Sequence, residues 1–179
     1  MNFFYTGIGS RQTPENICNI MTDIASRLSG QITLRSGGAN GADDAFERGC
    51  NMDCEIYIPW KNFNGRTHDR CIIVGEDQTC LQIASEIHPK WIACKRGVKL
   101  LHARNMCQVL GRDPSNPIKS LFVLAYTENG ELKGGTSTAL KLAALNNIPI
   151  FNFGKILHLP DDMIVQNCED FILEALDLV

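Results

Sequence analysis

The chain has 179 residues, 44% hydrophobic and 21% charged, with a formal net charge of −3. That length suits one domain with a sizeable core, residues 1–179, and the composition is that of an ordinary globular protein rather than a disordered or fibrous one. The mild acidity excludes a protein that grips nucleic acid with its whole surface, while leaving room for a local basic groove.

Residues 3–8 read as a buried strand that ends in Gly7-Ile8-Gly9-Ser10-Arg11. Thr13 is placed to cap a helix with Pro14 at its first position. Ile17, Ile20, Met21, Ile24 and Leu28 continue at helical spacing, and Gly30 ends the run. A second strand, 31–34, feeds the stretch Leu34-Arg35-Ser36-Gly37-Gly38-Ala39-Asn40-Gly41-Ala42-Asp43, and a helix over 42–49 leaves it. A third strand, 54–58, is halted by Pro59, and the loop after it carries Trp60, Lys61, Phe63 and Arg66. Helices over 78–87 and 98–110 follow, with a strand at 121–126. Lys133-Gly134-Gly135-Thr136-Ser137-Thr138 then repeats the glycine-rich arrangement and opens a helix over 136–146. A strand at 149–153 and a helix-like tail at 171–178 complete the pattern. Strands alternating with helices predict an α/β three-layer fold with a mostly parallel sheet and right-handed crossovers. Ligands of such folds sit beyond the C-terminal strand ends.

No apolar run reaches the roughly 18–20 residues that cross a membrane, and no secretory signal is evident, so a cytoplasmic protein without membrane contact is expected. The cysteines are Cys18, Cys50, Cys54, Cys71, Cys80, Cys94, Cys107 and Cys168. None forms a Cys-x-x-Cys pair, and the Cys50/Cys54 spacing lacks the second pair of a zinc site. They read as reduced thiols, and neither a metal nor a cofactor is expected.

The chemistry gathers at the glycine turns. Glycines between a strand and a helix let backbone N–H groups approach an anion, and the helix N-terminus adds about half a positive charge there. Ser36, Gly37, Gly38, Ala39 and Gly41 therefore form one candidate phosphate cradle. Gly134, Gly135, Thr136, Ser137 and Thr138 form a second, against the plainer reading of simple N-capping. Asp43 either contacts a ribose hydroxyl or complements its helix dipole. Ser10 and Arg11 follow the first strand, where Arg11 pairs with phosphate or stays solvated. Arg104 and Asn105 lie on a helix, facing ligand or solvent. Trp60 or Phe63 either stacks on a base or packs at the rim. Residues 90–104 hold five basic side chains (Lys90, Lys95, Arg96, Lys99, Arg104) and no acidic one, a solvated face or a polyanion contact. His68, His88, His102 and His158 are scattered, Glu86 and His88 are an unsupported acid–base pair, and no catalytic residue is assigned.

Gly9-Ser10-Arg11, Ser36-Gly37-Gly38-Ala39-Asn40-Gly41-Ala42-Asp43, Ala103-Arg104-Asn105 and Gly134-Gly135-Thr136-Ser137-Thr138-Ala139 occur in that order. The ordered set, spanning residues 3–153, resembles the Rossmann-like domain of the DNA-processing protein A family, bacterial recombination mediators. The wider nucleotide-binding superfamily (SLOG) includes phosphoribohydrolases of the lysine-decarboxylase-like type and ligand-sensing domains of bacterial immunity systems. The second glycine turn is similar to the phosphoribohydrolase Pro-Gly-Gly-x-Gly-Thr-x-x-Glu motif but departs from it. Ser137 replaces the third glycine and Lys141 stands at the catalytic glutamate, which argues against that activity. The helical and winged-helix domains of many family members have no counterpart in the sequence, a minimal form of the kind found in bacteriophages.

Taken with the residues, the resemblance implies a protein of the bacterial host cell that binds a small nucleotide, either a second messenger or an ADP-ribose-like molecule. In a phage this would sequester an immune signal. One alternative is a single-stranded DNA-binding recombination mediator. Another is a nucleotide N-glycoside or phosphoester hydrolase. The resemblance also implies a homo-oligomer.

Overall fold

The computed structural model describes residues 3–67 and 69–177. Among them, six strands form one sheet: β1 (Phe4–Gly9), β2 (Thr33–Ser36), β3 (Cys54–Ile58), β4 (Cys71–Ile73), β5 (Val123–Tyr126) and β6 (Ile150–Asn152). Their order is β4-β3-β2-β1-β5-β6 and every pairing is parallel. The helices are α1 (Glu15–Leu28), α2 (Ala42–Gly49), α3 (Gln78–Ile87), α4 (Arg96–Leu110), α5 (Ser137–Leu145) and α6 (Asp161–Asp177).

A parallel sheet must be covered on both faces, because its crossover helices lie there and its strands are apolar on both sides. Two apolar cores result. Tyr5, Leu34, Ile56, Phe122 and Leu124 pack with α1, α2 and α6 on one face. Ile8, Tyr57, Val123 and Ala125 pack with α3, α4 and α5 on the other. The molecule is thus a three-layer Rossmann-like α/β fold. In α1 the residues at helical spacing, Ile17, Ile20, Met21, Ile24 and Leu28, are the buried ones.

Several boundaries differ from the sequence reading. β4 is an additional strand; its three residues are too short for any alternation to register. β2 starts and ends two residues later than expected and takes in Ser36, because its register is fixed by pairing with β1 and β3 on either side. Thr13 does not cap α1. Its hydroxyl donates to the Ser10 carbonyl (2.7 Å), and Pro14 occupies the cap position. The final helix begins ten residues before the helix-like tail, at Asp161. Leu178, within that tail, and His68 lie outside the described residues, as do Met1, Asn2 and Val179.

The sheet order positions the site. From β1 the chain proceeds outward through β2, β3 and β4, then returns to add β5 and β6 on the other side. The direction reverses between β1 and β5, so the loops leaving those strands diverge and open a crevice at the C-terminal edge.

Candidate functional site

That crevice is an open cleft of about 1190 Å³. The loop after β1 supplies Gly9, Ser10 and Arg11. The first glycine turn and α2 supply Ala39 and Asp43, and α4 supplies Arg104, Asn105 and Gln108. The loop after β5 brings Gly134, Gly135, Thr136 and Ser137. Both glycine turns therefore border one cavity, as their positions after strands of a parallel sheet require.

Asp43 organises the floor. Its Oδ1 accepts from the Gly9 amide (3.1 Å) and its Oδ2 from the Ala39 amide (3.4 Å), tying the first loop to the first glycine turn. Arg104 Nη1 lies 3.3 Å from Asp43 Oδ2 and donates to Gln108 Oε1 at 2.9 Å. The pair is buried, with Asp43 2% and Arg104 5% exposed. Burial pushes the Asp43 carboxyl up, opposed by the Arg104 guanidinium and the two amides. Burial pulls Arg104 down, opposed by Asp43. Opposite charge thus offsets desolvation on both sides.

Two donors at this floor have no acceptor: Arg104 Nε and Gln108 Nε2. Both residues line the cleft. A buried, unsatisfied donor costs about 1–3 kcal/mol.

Glycine is required where the turns close. A Cβ on Gly37 would overlap the Arg104 guanidinium and lie 2.6 Å from Gln108 Nε2. Gly41 has φ of 83°, and a Cβ there would sit 2.8 Å from Arg11 Cα.

Three hydroxyls of the turns are engaged. Ser36 donates to the Gly7 carbonyl at 2.7 Å, and Ser137 to Gly134 at 2.7 Å. Thr138 donates to the Gly135 carbonyl at 3.3 Å and lies 2.8 Å from His102 Nδ1. Asn105 Nδ2 donates to the same Gly135 carbonyl at 2.8 Å, so α4 straps the second turn in place. His102 is driven down to about 4 by burial, then by His88 and Arg104, and is neutral at neutral pH.

The structure thus brings Ser10, Arg11, Ala39, Asp43, Arg104, Asn105, Gly134, Gly135, Thr136 and Ser137 to one cleft. Ser36, Gly37, Gly38, Gly41 and Thr138 stand behind it as scaffold. The Gly38 carbonyl accepts from Asn64 Nδ2 at 3.1 Å. Trp60 lies outside the cleft, edge-on to Phe63 with ring centroids 5.3 Å apart. Of the basic run, Lys90, Lys95 and Arg96 are exposed while Arg104 is buried. Arg11 is exposed at the rim, where Lys90, Lys133 and Lys141 also stand, with Glu131 paired to Lys133.

Sequence reasoning did not single out Gln108, Val98, Leu101 or Leu132, all of which line the cleft. The signal for the α4 members was present as the spacing 98, 101, 105, 108, which puts four side chains on one helix face. Cys50, Cys54, Cys80, Cys107 and Cys168 are buried thiols. Among the described residues there is no group of three or more metal-ligating side chains, and no helix long and apolar enough to cross a membrane.

No protein-family model matches the chain, and no curated protein matches it in sequence. Among solved structures it is similar to DNA processing protein A from Helicobacter pylori, which is described for its single-stranded DNA binding mode. The match has a TM-score of 0.50 and 14% identity, and covers 84% of this chain. This chain spans 65% of the length of that one. At that identity the likeness is one of architecture: the protein has a fold like that of DNA processing protein A.

Proposed function

We propose that the protein binds a phosphate-bearing small nucleotide in the crevice between β1 and β5. The observation that carries this reading is the pair of buried, unpartnered donors at its floor, Arg104 Nε and Gln108 Nε2. An anionic or carbonyl oxygen that reached either donor would satisfy a group the fold leaves unpaired, and such charge-assisted bonds are strong. The helix start at Ser137 and the rim cations Arg11, Lys90 and Lys141 add favourable potential for an anion. The cleft volume exceeds the few hundred Å³ of a minimal ligand pocket and suits a nucleotide carrying more than one phosphate, or an ADP-ribose-like molecule. Lys141 lines the cleft where the resembling hydrolase motif carries a glutamate. A cation there attracts phosphate and supplies no carboxylate base. Retention of a signalling nucleotide without turnover is the role this reading assigns.

A second reading, single-stranded DNA binding, is favoured by the likeness to DNA processing protein A. The two separate in a thermal-shift experiment with mono- and dinucleotides, cyclic nucleotides, ADP-ribose and a short oligothymidylate. A ligand at a hundred times its Kd stabilises by about 2.7 kcal/mol, a rise of roughly 5–10 °C for a chain of this length. The nucleotide reading expects that rise with a small nucleotide and its loss in Arg11→Ala, whose exposed side chain leaves the fold intact. A rise with the oligonucleotide alone, abolished by added salt, establishes the DNA reading instead.

A further inference from the structure

Helix α4 presents Val98, Leu101, Arg104, Asn105 and Gln108 to the cleft. The face changes character along its length. Its amino-terminal half is apolar (Val98, Leu101) and its carboxy-terminal half polar (Arg104, Asn105, Gln108). At 1.5 Å per residue the two halves are centred about 10 Å apart. That matches the reach of a nucleoside diphosphate from its base to its terminal phosphate.

The apolar half has further walls of the same kind. Leu132, from the loop after β5, and His88-Pro89, after α3, also line the cleft, and the His88 ring stands against His102 of α4. Val98 is 40% and Leu132 54% exposed, so both offer apolar surface that no other part of the chain covers. The His88 and His102 rings lie 4.5 Å apart, with Trp91 6.3 Å from His88. His102 is uncharged at neutral pH, so it accepts an uncharged ring beside it.

We infer that this end of the cleft is a nucleobase subsite, in which Val98, Leu101 and Leu132 enclose the planar heteroaromatic ring of the nucleotide whose phosphates lie at Arg104 and Gln108. The inference rests on the nucleotide reading above and adds where the base lies. The occupant follows from continuity: the apolar end and the donor-bearing floor belong to one cavity and one helix face. A ring with apolar faces and polar edges fits a wall of aliphatic side chains flanked by two imidazoles. Trp60, the natural stacking candidate in the sequence, lies outside this cavity.

The test is calorimetric titration of the full chain with ADP, GDP, CDP, UDP and inorganic pyrophosphate. At least one nucleoside diphosphate is expected to bind about 10- to 100-fold more tightly than pyrophosphate, the range a stacked base contributes. Val98→Ser and Leu132→Ser, both at exposed positions, are expected to weaken that nucleotide about 10-fold through lost apolar burial and leave pyrophosphate unchanged. Val98→Leu, which keeps the wall apolar, is expected to retain tight binding. Equal affinity for pyrophosphate and all four nucleotides overturns the subsite and leaves the phosphate site standing. So does a loss confined to Trp60→Ala. Failure of all five to bind at millimolar concentration overturns both.

Discussion

Replacing Gly37 by alanine tests how the cleft floor is held. A methyl group there would overlap the Arg104 guanidinium and sit 2.6 Å from Gln108 Nε2. Gly37 is not among the positive-φ glycines, so its backbone accepts alanine and the cost is steric. Arg104 must swing away, and its 3.3 Å contact with Asp43 opens. Asp43, 2% exposed, then keeps two amides and loses its countercharge. Breaking a buried ion pair from one side costs about 3–5 kcal/mol. Domain stability is only about 5–15 kcal/mol, so Gly37→Ala removes a large part of it and lowers Tm by roughly 10 °C. Arg104→Ala is expected to cost a similar amount, for the same reason. In the double variant the new methyl occupies space the guanidinium has vacated. Gly37→Ala then costs close to nothing, or stabilises by up to about 1 kcal/mol by restricting the unfolded chain. The expected coupling is about 3 kcal/mol, read by urea denaturation of the wild type, both single variants and the double variant. Two outcomes refute the reasoning: Gly37→Ala within about 0.5 kcal/mol of wild type, or single-variant losses that simply add.

Acidification should act through His102. Its value in the fold is about 4 against an ordinary 6.5, so between those values the unfolded chain binds the extra proton. Its contribution is complete above pH 6.5 and is lost as the pH falls through 4, about 3 kcal/mol in all. Burial raises the Asp43 carboxyl and gives a slope of opposite sign, so the measurement is the difference between wild type and His102→Gln across pH 4–7; parallel stability curves would contradict it. Ser36→Ala removes a buried hydroxyl that donates to Gly7 and should cost about 1–3 kcal/mol in denaturant melts, while nucleotide affinity stays unchanged. A loss of affinity at unchanged stability would return Ser36 to the binding surface.

Much of the fold was legible because its signals are local. Apolar runs mark the longer strands, the Ile17–Leu28 periodicity marks α1, and the two glycine clusters mark strand-to-helix turns. What was missed depends on partners distant in sequence. Ser36 belongs to β2 because it pairs with Ile56 of β3 and its hydroxyl bonds Gly7 of β1, not because of its neighbours in the chain. Arg104 carries the sequence character of a surface arginine; the carboxylate that draws it inward lies 61 positions away. Gln108 has no motif at all and gains significance only from its place on the face of α4. Trp60 was singled out for its aromatic character after a strand, yet it packs edge-on to Phe63 outside the cleft.

The engagement of Ser137, Thr138 and Asn105 with backbone carbonyls of the second glycine turn bears on the thermodynamics of capture. Flexible glycine segments ordinarily surrender conformational freedom when a ligand arrives, which subtracts from affinity. In the second turn part of that freedom is already lost on folding, through bonds to Gly134 and Gly135. Association then involves little reordering of the second glycine turn, and less entropy is lost there. A receptor built this way holds its guest by slow release rather than by closing around it, which fits the proposed retention of a nucleotide without turnover.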